Sequence, residues 1–113
     1  MLKQRIVPQI EFKIKFFDCY VFDIKYEDRC IGAIEMYEYP EYLYMEHIFV
    51  DKEYRGCGIL SEVVKEFNKK PLKCLPLEKY RSKFEHLGFT VCDTDGTDIY
   101  YIHNPEIKDT QNL

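Results

Sequence analysis

Long hydrophobic runs, paired cysteines and an excess of positive charge are all missing from this sequence, and each absence removes a class of function. No apolar stretch approaches the roughly 20 residues of a membrane-spanning helix. The opening MLKQRIVPQI lacks the long apolar centre of a signal peptide. The expectation is a cytoplasmic protein with no membrane partner. The five cysteines (Cys19, Cys30, Cys57, Cys74 and Cys92) are odd in number and scattered, and none forms a C-x-x-C pair. That argues against a zinc site or disulfide framework and for free thiols in a reducing compartment, with no metal. Sixteen basic residues against twenty acidic ones leave a net charge of −4, which disfavours a nucleic-acid partner and suits a cationic acceptor such as an amine. Internal repeats and low-complexity segments are absent as well.

What is present is the material of one core. Hydrophobic residues make up 46% of the 113 and aromatics 16%, with ten Tyr and eight Phe, so the chain is globular rather than disordered. Residues 9–17 alternate at Ile10, Phe12, Ile14 and Phe16, the period of a half-buried strand. Residues 19–26 and 30–37 repeat the pattern on either side of a hairpin connection, Glu27-Asp28-Arg29. After Pro40 a fourth strand runs to Val50. A short strand is predicted over 72–77, ended by Pro76, and a closing hairpin over 89–92 and 99–103. Helices are predicted at about 58–69 and 78–87, the second stopped by Gly88. DTDGTD, residues 93–98, superficially suggests a calcium loop, but Gly96 stands fourth rather than sixth, and Asp95-Gly96 between strands reads as a hairpin turn. The fold class is therefore α/β (α+β): a mixed, mostly antiparallel sheet of about seven strands with two main helices. It forms a single domain over 1–103, followed by a polar tail over 104–113.

The chain is organised around Tyr44–Phe67. Met45, Ile48, Phe49 and Val50 form an apolar strand. Arg55, Gly56, Cys57 and Gly58 make a glycine-rich turn, and Ile59, Leu60, Val63, Val64 and Phe67 give the stripe of an amphipathic helix. The helix starts without Ser, Thr, Asp or Asn at its cap, so several amides lack a side-chain acceptor at its positive end. Such a start suits a ligand phosphate, and the glycines allow close backbone approach. Two glycines that merely turn the chain would look the same.

VDKEYRGCGILSEVV resembles the acetyl-CoA-binding signature of the GNAT superfamily of N-acetyltransferases, Arg/Gln-x-x-Gly-x-Gly/Ala. Arg55 and Gly58 fill the first two fixed positions, and Leu60 stands where the family prefers a small residue. Phe84-Glu85-His86-Leu87-Gly88-Phe89 resembles the family's later Tyr-x-x-x-Gly-Phe segment. The resemblance covers roughly residues 10–103 and implies a GNAT-like acetyl-CoA-binding domain. It implies that backbone groups of Ile48, Phe49 and Val50 hold the pantetheine arm, and that the amides of Arg55, Gly56, Cys57, Gly58, Ile59, Leu60 and Ser61 hold the pyrophosphate. Phe84 would border the cofactor.

For the chemistry, several family members carry a glutamate at the position of Glu46, which makes it the candidate base. Burial would raise its pKa toward a useful value; pairing with a cation on the sheet face is the plainer alternative. Alternation puts His47 on the opposite face from Glu46 unless a bulge intervenes. The family's proton-donating tyrosine is replaced by Phe84. Tyr80, one helical turn earlier on the same face, is the substitute acid, although a core role would explain it equally.

The family's two helices between its first and second strands have no counterpart here, since Phe17, Asp18 and Cys19 leave no room for them. The resemblance therefore implies a short form with an open acceptor side. That side would suit a protein lysine or N-terminus, and a second copy in a homodimer could supply the missing cover. Two other functions compete: an acetyl-CoA-binding regulatory module without catalysis, and an interaction domain using the tyrosine-rich residues 35–44.

Overall fold

The alternation expected over the first forty residues folds as three consecutive antiparallel strands: β1 Gln9–Phe16, β2 Cys19–Tyr26 and β3 Arg29–Glu38. The computed structural model describes residues 3–105, so most of the polar tail expected over 104–113 lies outside the described residues. Next come β4 Leu43–Val50, α1 Ile59–Phe67, β5 Leu72–Cys74, α2 Arg81–His86, β6 Thr90–Asp95 and β7 Asp98–His103. The seven strands form one sheet in the order β1-β2-β3-β4-β5-β7-β6. Every neighbouring pair is antiparallel except β4 and β5, which α1 connects as a crossover.

Both helices lie on the same face. Residues opposite each other in a ladder share a face. Phe22 in β2 meets Phe67 of α1, ring centroids 4.9 Å apart. Tyr20, two residues before Phe22, faces Met36, and from there the ladder passes through Met45 and Cys74 to Tyr101. The Tyr101 hydroxyl donates to Glu85 of α2 at 2.7 Å. Between sheet and helices Ile24, Ile34, Met36, Val63, Leu72 and Phe84 form the core.

The opposite face carries Tyr37, Tyr44 and Lys73 in one rung and Glu35 with His47 in another. Among the described residues no helix covers it, because only the tight turn at Phe17 (φ 55°) and Asp18 separates β1 from β2.

Element bounds differ from the sequence reading where local chemistry intervenes. Helix α1 starts at Ile59 rather than 58, since Gly58 is left-handed (φ 83°). It ends at Phe67 rather than 69, with the Asn68 side-chain amide donating to the Lys70 and His103 carbonyls. Strand β5 stops at Cys74 rather than reaching 77. The expected helix over 78–87 is a 3-10 turn, Glu78–Tyr80, leading into a shorter α2. The closing hairpin is longer than expected on both arms.

Helix α2 ends in a Schellman motif. Phe89 N–H donates to the Phe84 carbonyl and Gly88 N–H to that of Glu85, with Gly88 at φ 99°. The motif's apolar contact is Phe84 against Phe89, edge-on at 5.1 Å. The Phe-x-x-x-Gly-Phe segment is thus a helix stop with a matched hydrophobic clasp.

Candidate active site

Strand β4 pairs with β5 only at Leu43, Tyr44 and Met45. Beyond Met45 no strand among the described residues pairs with the edge of β4 that faced β5, so Glu46 to Val50 line a gap there. On its other edge β4 stays paired with β3 as far as Val50 opposite Gly32. Backbone groups alternate between the two edges of a strand, and the Phe49 carbonyl is turned to β3, against Gly32. It is therefore Ile48 and the Val50 N–H that face the open edge, where a ligand chain could satisfy them, and not Phe49 as expected.

The chain leaves β4 through a 3-10 turn, Lys52–Tyr54, then Arg55, and reaches α1 by way of Gly56 (φ 80°) and Gly58 (φ 83°). Two left-handed residues in three account for both glycines. Among the described residues no side chain caps the helix start, which leaves the amides of its first turn to a ligand. Cys57 between the glycines is buried, its side chain part of the core. The Arg55 side chain is tied back onto β4. Its Nε donates to the Val50 carbonyl at 2.9 Å and its guanidinium lies over the Phe49 ring at 5.8 Å.

A strand splayed from its parallel neighbour and an uncapped helix at the end of that strand make one continuous cleft. The sequence profile described as the acetyltransferase (GNAT) family matches residues 3–70. The chain belongs to the GNAT acetyltransferase family. No curated protein of known function matches it in sequence. Among solved structures, the N-acetyltransferase YlbP of Bacillus subtilis, in complex with coenzyme A, is 18% identical with a TM-score of 0.64. That alignment covers 75% of this chain and 67% of the other. The PaiA N-acetyltransferase of Thermoplasma acidophilum, also with coenzyme A, gives 23%, 0.61, 77% and 61% on the same measures. A GNAT family acetyltransferase of Elizabethkingia anophelis with acetyl-CoA bound gives 17%, 0.59, 77% and 76%. These likenesses show the fold alone, a mixed seven-stranded sheet with two helices. This GNAT domain spans about two thirds of the length of the first two.

The catalytic candidates stand on separate elements, Glu46 on β4 and Tyr80 in the 3-10 turn before α2. Met36 faces Met45 and Glu35 faces His47, which leaves Glu46 as the extra residue of a β-bulge. The bulge breaks strict alternation at Glu46, the exception the sequence reading left open. Glu46 is exposed rather than buried, and among the described residues no helix covers this face. Its neighbour His47 bonds Glu35 at 2.6 Å on the open face. Tyr80 is 40% exposed, in the 3-10 turn, with the Lys79 ammonium over its ring. Phe84 is 7% exposed and packs into the core.

Sequence reasoning missed three features. Gly32 lies so close to β4 that a Cβ there would sit 2.2 Å from the Phe49 carbonyl oxygen; a lone glycine in an apolar strand was the available signal. Lys3 and Arg5 reach the glycine turn from before β1, signalled only by a basic start. Third, Tyr39, Tyr42, Tyr44 and Tyr100 surround Lys73 in a surface cavity of about 390 Å³, with Asp93 and Asp95 at its rim. The Lys73 ammonium stands 5.2 Å from the Tyr42 ring and 5.0 Å from that of Tyr100. Burial, then the nearby Glu46 carboxylate, pushes the Tyr44 phenol up to about 12. Among the described residues no three His, Cys, Asp or Glu side chains cluster as metal ligands.

Proposed function

We propose that this GNAT domain is an acetyl-CoA-dependent N-acetyltransferase that acetylates an amine. The observation that carries the reading is the gap between β4 and β5 beyond the Met45–Cys74 rung, leading to the uncapped start of α1. In this reading the open β4 edge at Ile48 and Val50 pairs with the amides of the pantetheine arm, while Phe49 between them stays paired with β3. The amides from Arg55 to Ser61, through Gly56, Cys57, Gly58, Ile59 and Leu60, receive the pyrophosphate.

The amine nitrogen attacks the thioester carbonyl, the carbon–sulfur bond breaks, and the thiolate leaves with the cofactor. Glu46 takes the proton from the acceptor ammonium, directly or through a water, and Tyr80 returns one to the thiolate. An exposed Glu46 suits an acceptor that completes the site on binding. The uncovered sheet face supports a large acceptor, a protein lysine or N-terminus, and a second copy of the chain is the other candidate cover. The tyrosines expected to form an interaction edge, Tyr39, Tyr42 and Tyr44, line the cavity on this face and belong to its acceptor side. We place the protein in the cytoplasm.

A regulatory acetyl-CoA-binding module is the second reading. It is favoured by Phe84, which has no proton to donate and lies in the core.

Thermal unfolding with acetyl-CoA, CoA and ATP tests the reading before any acceptor is known. Acetyl-CoA and CoA are expected to raise Tm and ATP to do less, whereas no shift with any of them would overturn it. In Gly58→Glu, a carboxylate at the turn opposes the pyrophosphate, and the shift is expected to vanish.

A further inference from the structure

We infer that the segment preceding β1 is part of the co-substrate site, with Lys3 and Arg5 as additional phosphate ligands. The inference rests on the acetyl-CoA reading above. Ile6 N–H donates to the Cys57 carbonyl at 3.1 Å, Ile6 packs against the core, and Pro8 is buried. These contacts fix residues 3–8 as a strap running along the glycine turn.

The strap lays one cation beside each glycine. The Arg5 guanidinium atoms lie 2.8–3.0 Å from where a Cβ on Gly58 would stand, and the Lys3 side chain passes 3.8 Å from the corresponding point on Gly56. The Lys3 ammonium donates to the Glu53 carbonyl at 2.9 Å. Gly58 is held by its left-handed φ, and the mobile end of the Arg5 side chain lies in the space its missing Cβ leaves.

Charge bookkeeping points the same way. The chain as a whole is acidic, at −4, yet this turn gathers Arg55, Arg5 and Lys3. Arg55 is tied to Val50 and Phe49. Among the described residues Arg5 has one ion pair, at 3.4 Å with Glu62, its own side chain 62% exposed, and such a pair is weak. Glu62 also holds Lys65 at 3.4 Å, so it keeps a cation when Arg5 turns away. A diphosphate at the first turn of α1 would then lie between the helix amides on one side and a guanidinium fork on the other, the geometry in which Arg binds phosphate well. The ligand chemistry is the diphosphate part of the acyl carrier, distinct from its pantetheine arm.

The test is calorimetry on the full chain with CoA and with pantetheine, which lacks phosphates, between about 50 and about 400 mM salt. Arg5→Ala and the double variant with Lys3→Ala are expected to bind CoA about tenfold or more weakly, with a shallower salt dependence, and to bind pantetheine as the wild type does. Arg5→Lys should recover part of the loss. CoA affinity and salt dependence unchanged in a folded double variant would overturn the inference. So would an equal loss for pantetheine, which would make the strap a structural brace only. A wild type that binds no CoA would overturn the acetyl-CoA reading itself, and with it the strap's role.

Discussion

Met45 faces Cys74 across the last rung that joins β4 to β5, and Glu46, the next residue, is the bulged residue on the opposite edge of β4. Two breaks in the sheet therefore fall at one level. The parallel ladder ends on one edge, while the antiparallel ladder gains a residue on the other. The bulge turns β4 at the point where its β5-side edge becomes free. Met45 and Cys74 are both buried on the helix face, so the core anchors the closed end of the gap and leaves its mouth open.

Gly32 controls how closely β3 supports that free edge. A methyl at residue 32 would meet the Phe49 carbonyl oxygen at 2.2 Å, and backbone has to move to make room. Gly32→Ala is expected to cost about 1–3 kcal/mol of stability, as overpacking does. Because the displaced atoms belong to Phe49 and Val50, acetyl-CoA affinity should fall as well. Urea unfolding and calorimetry on the same sample check both. A variant with wild-type stability would show that β3 and β4 are less tightly opposed than the structure has them.

Tyr44 gives a pH signature. Its phenol is raised from 10.0 to about 12 in the fold by burial and by Glu46, so folding favours the protonated form. The stability this contributes is fully present below pH 10 and is lost as pH rises from 10 toward 12. Tyr44→Phe should remove this part of the pH dependence, so the gap between wild-type and variant Tm should shift against the wild type over that range. Identical profiles would mean that Tyr44 titrates in the fold as it does in the unfolded chain.

Much of the fold was legible because its signals are local. Alternation at Ile10, Phe12, Ile14 and Phe16, the stripe from Ile59 to Phe67, and a glycine before Phe89 each report a period or a cap that a short window contains. The glycine turn was legible for the same reason. What the sequence hid depends on approach between distant segments. Arg5 over Gly58, Gly32 against Phe49 and Lys73 among four tyrosines are contacts made only after the sheet assembles. The exposure of Glu46 was hidden too, since it depends on what covers the far face.

The proton donor is one point at which this sequence departs from the signature it resembles. Phe84 packs edge-on against Phe89 inside the Schellman clasp, so its position serves the core. Phe84→Tyr is therefore expected to place a hydroxyl in an apolar site and to cost about 1–3 kcal/mol rather than to restore a donor. Tyr80, 40% exposed at the entrance to α2, is the group we expect to carry the proton. Tyr80→Phe should lower turnover by roughly 10²- to 10⁴-fold, the range of a general acid. Acetyl-CoA affinity should hardly change, because the hydroxyl acts only as the thiolate forms. A thiol-release assay with lysine peptides and small amines, run on wild type and both variants, separates the cases. An active wild type with an unaffected Tyr80→Phe variant would hand the role to solvent, which the uncovered face readily admits.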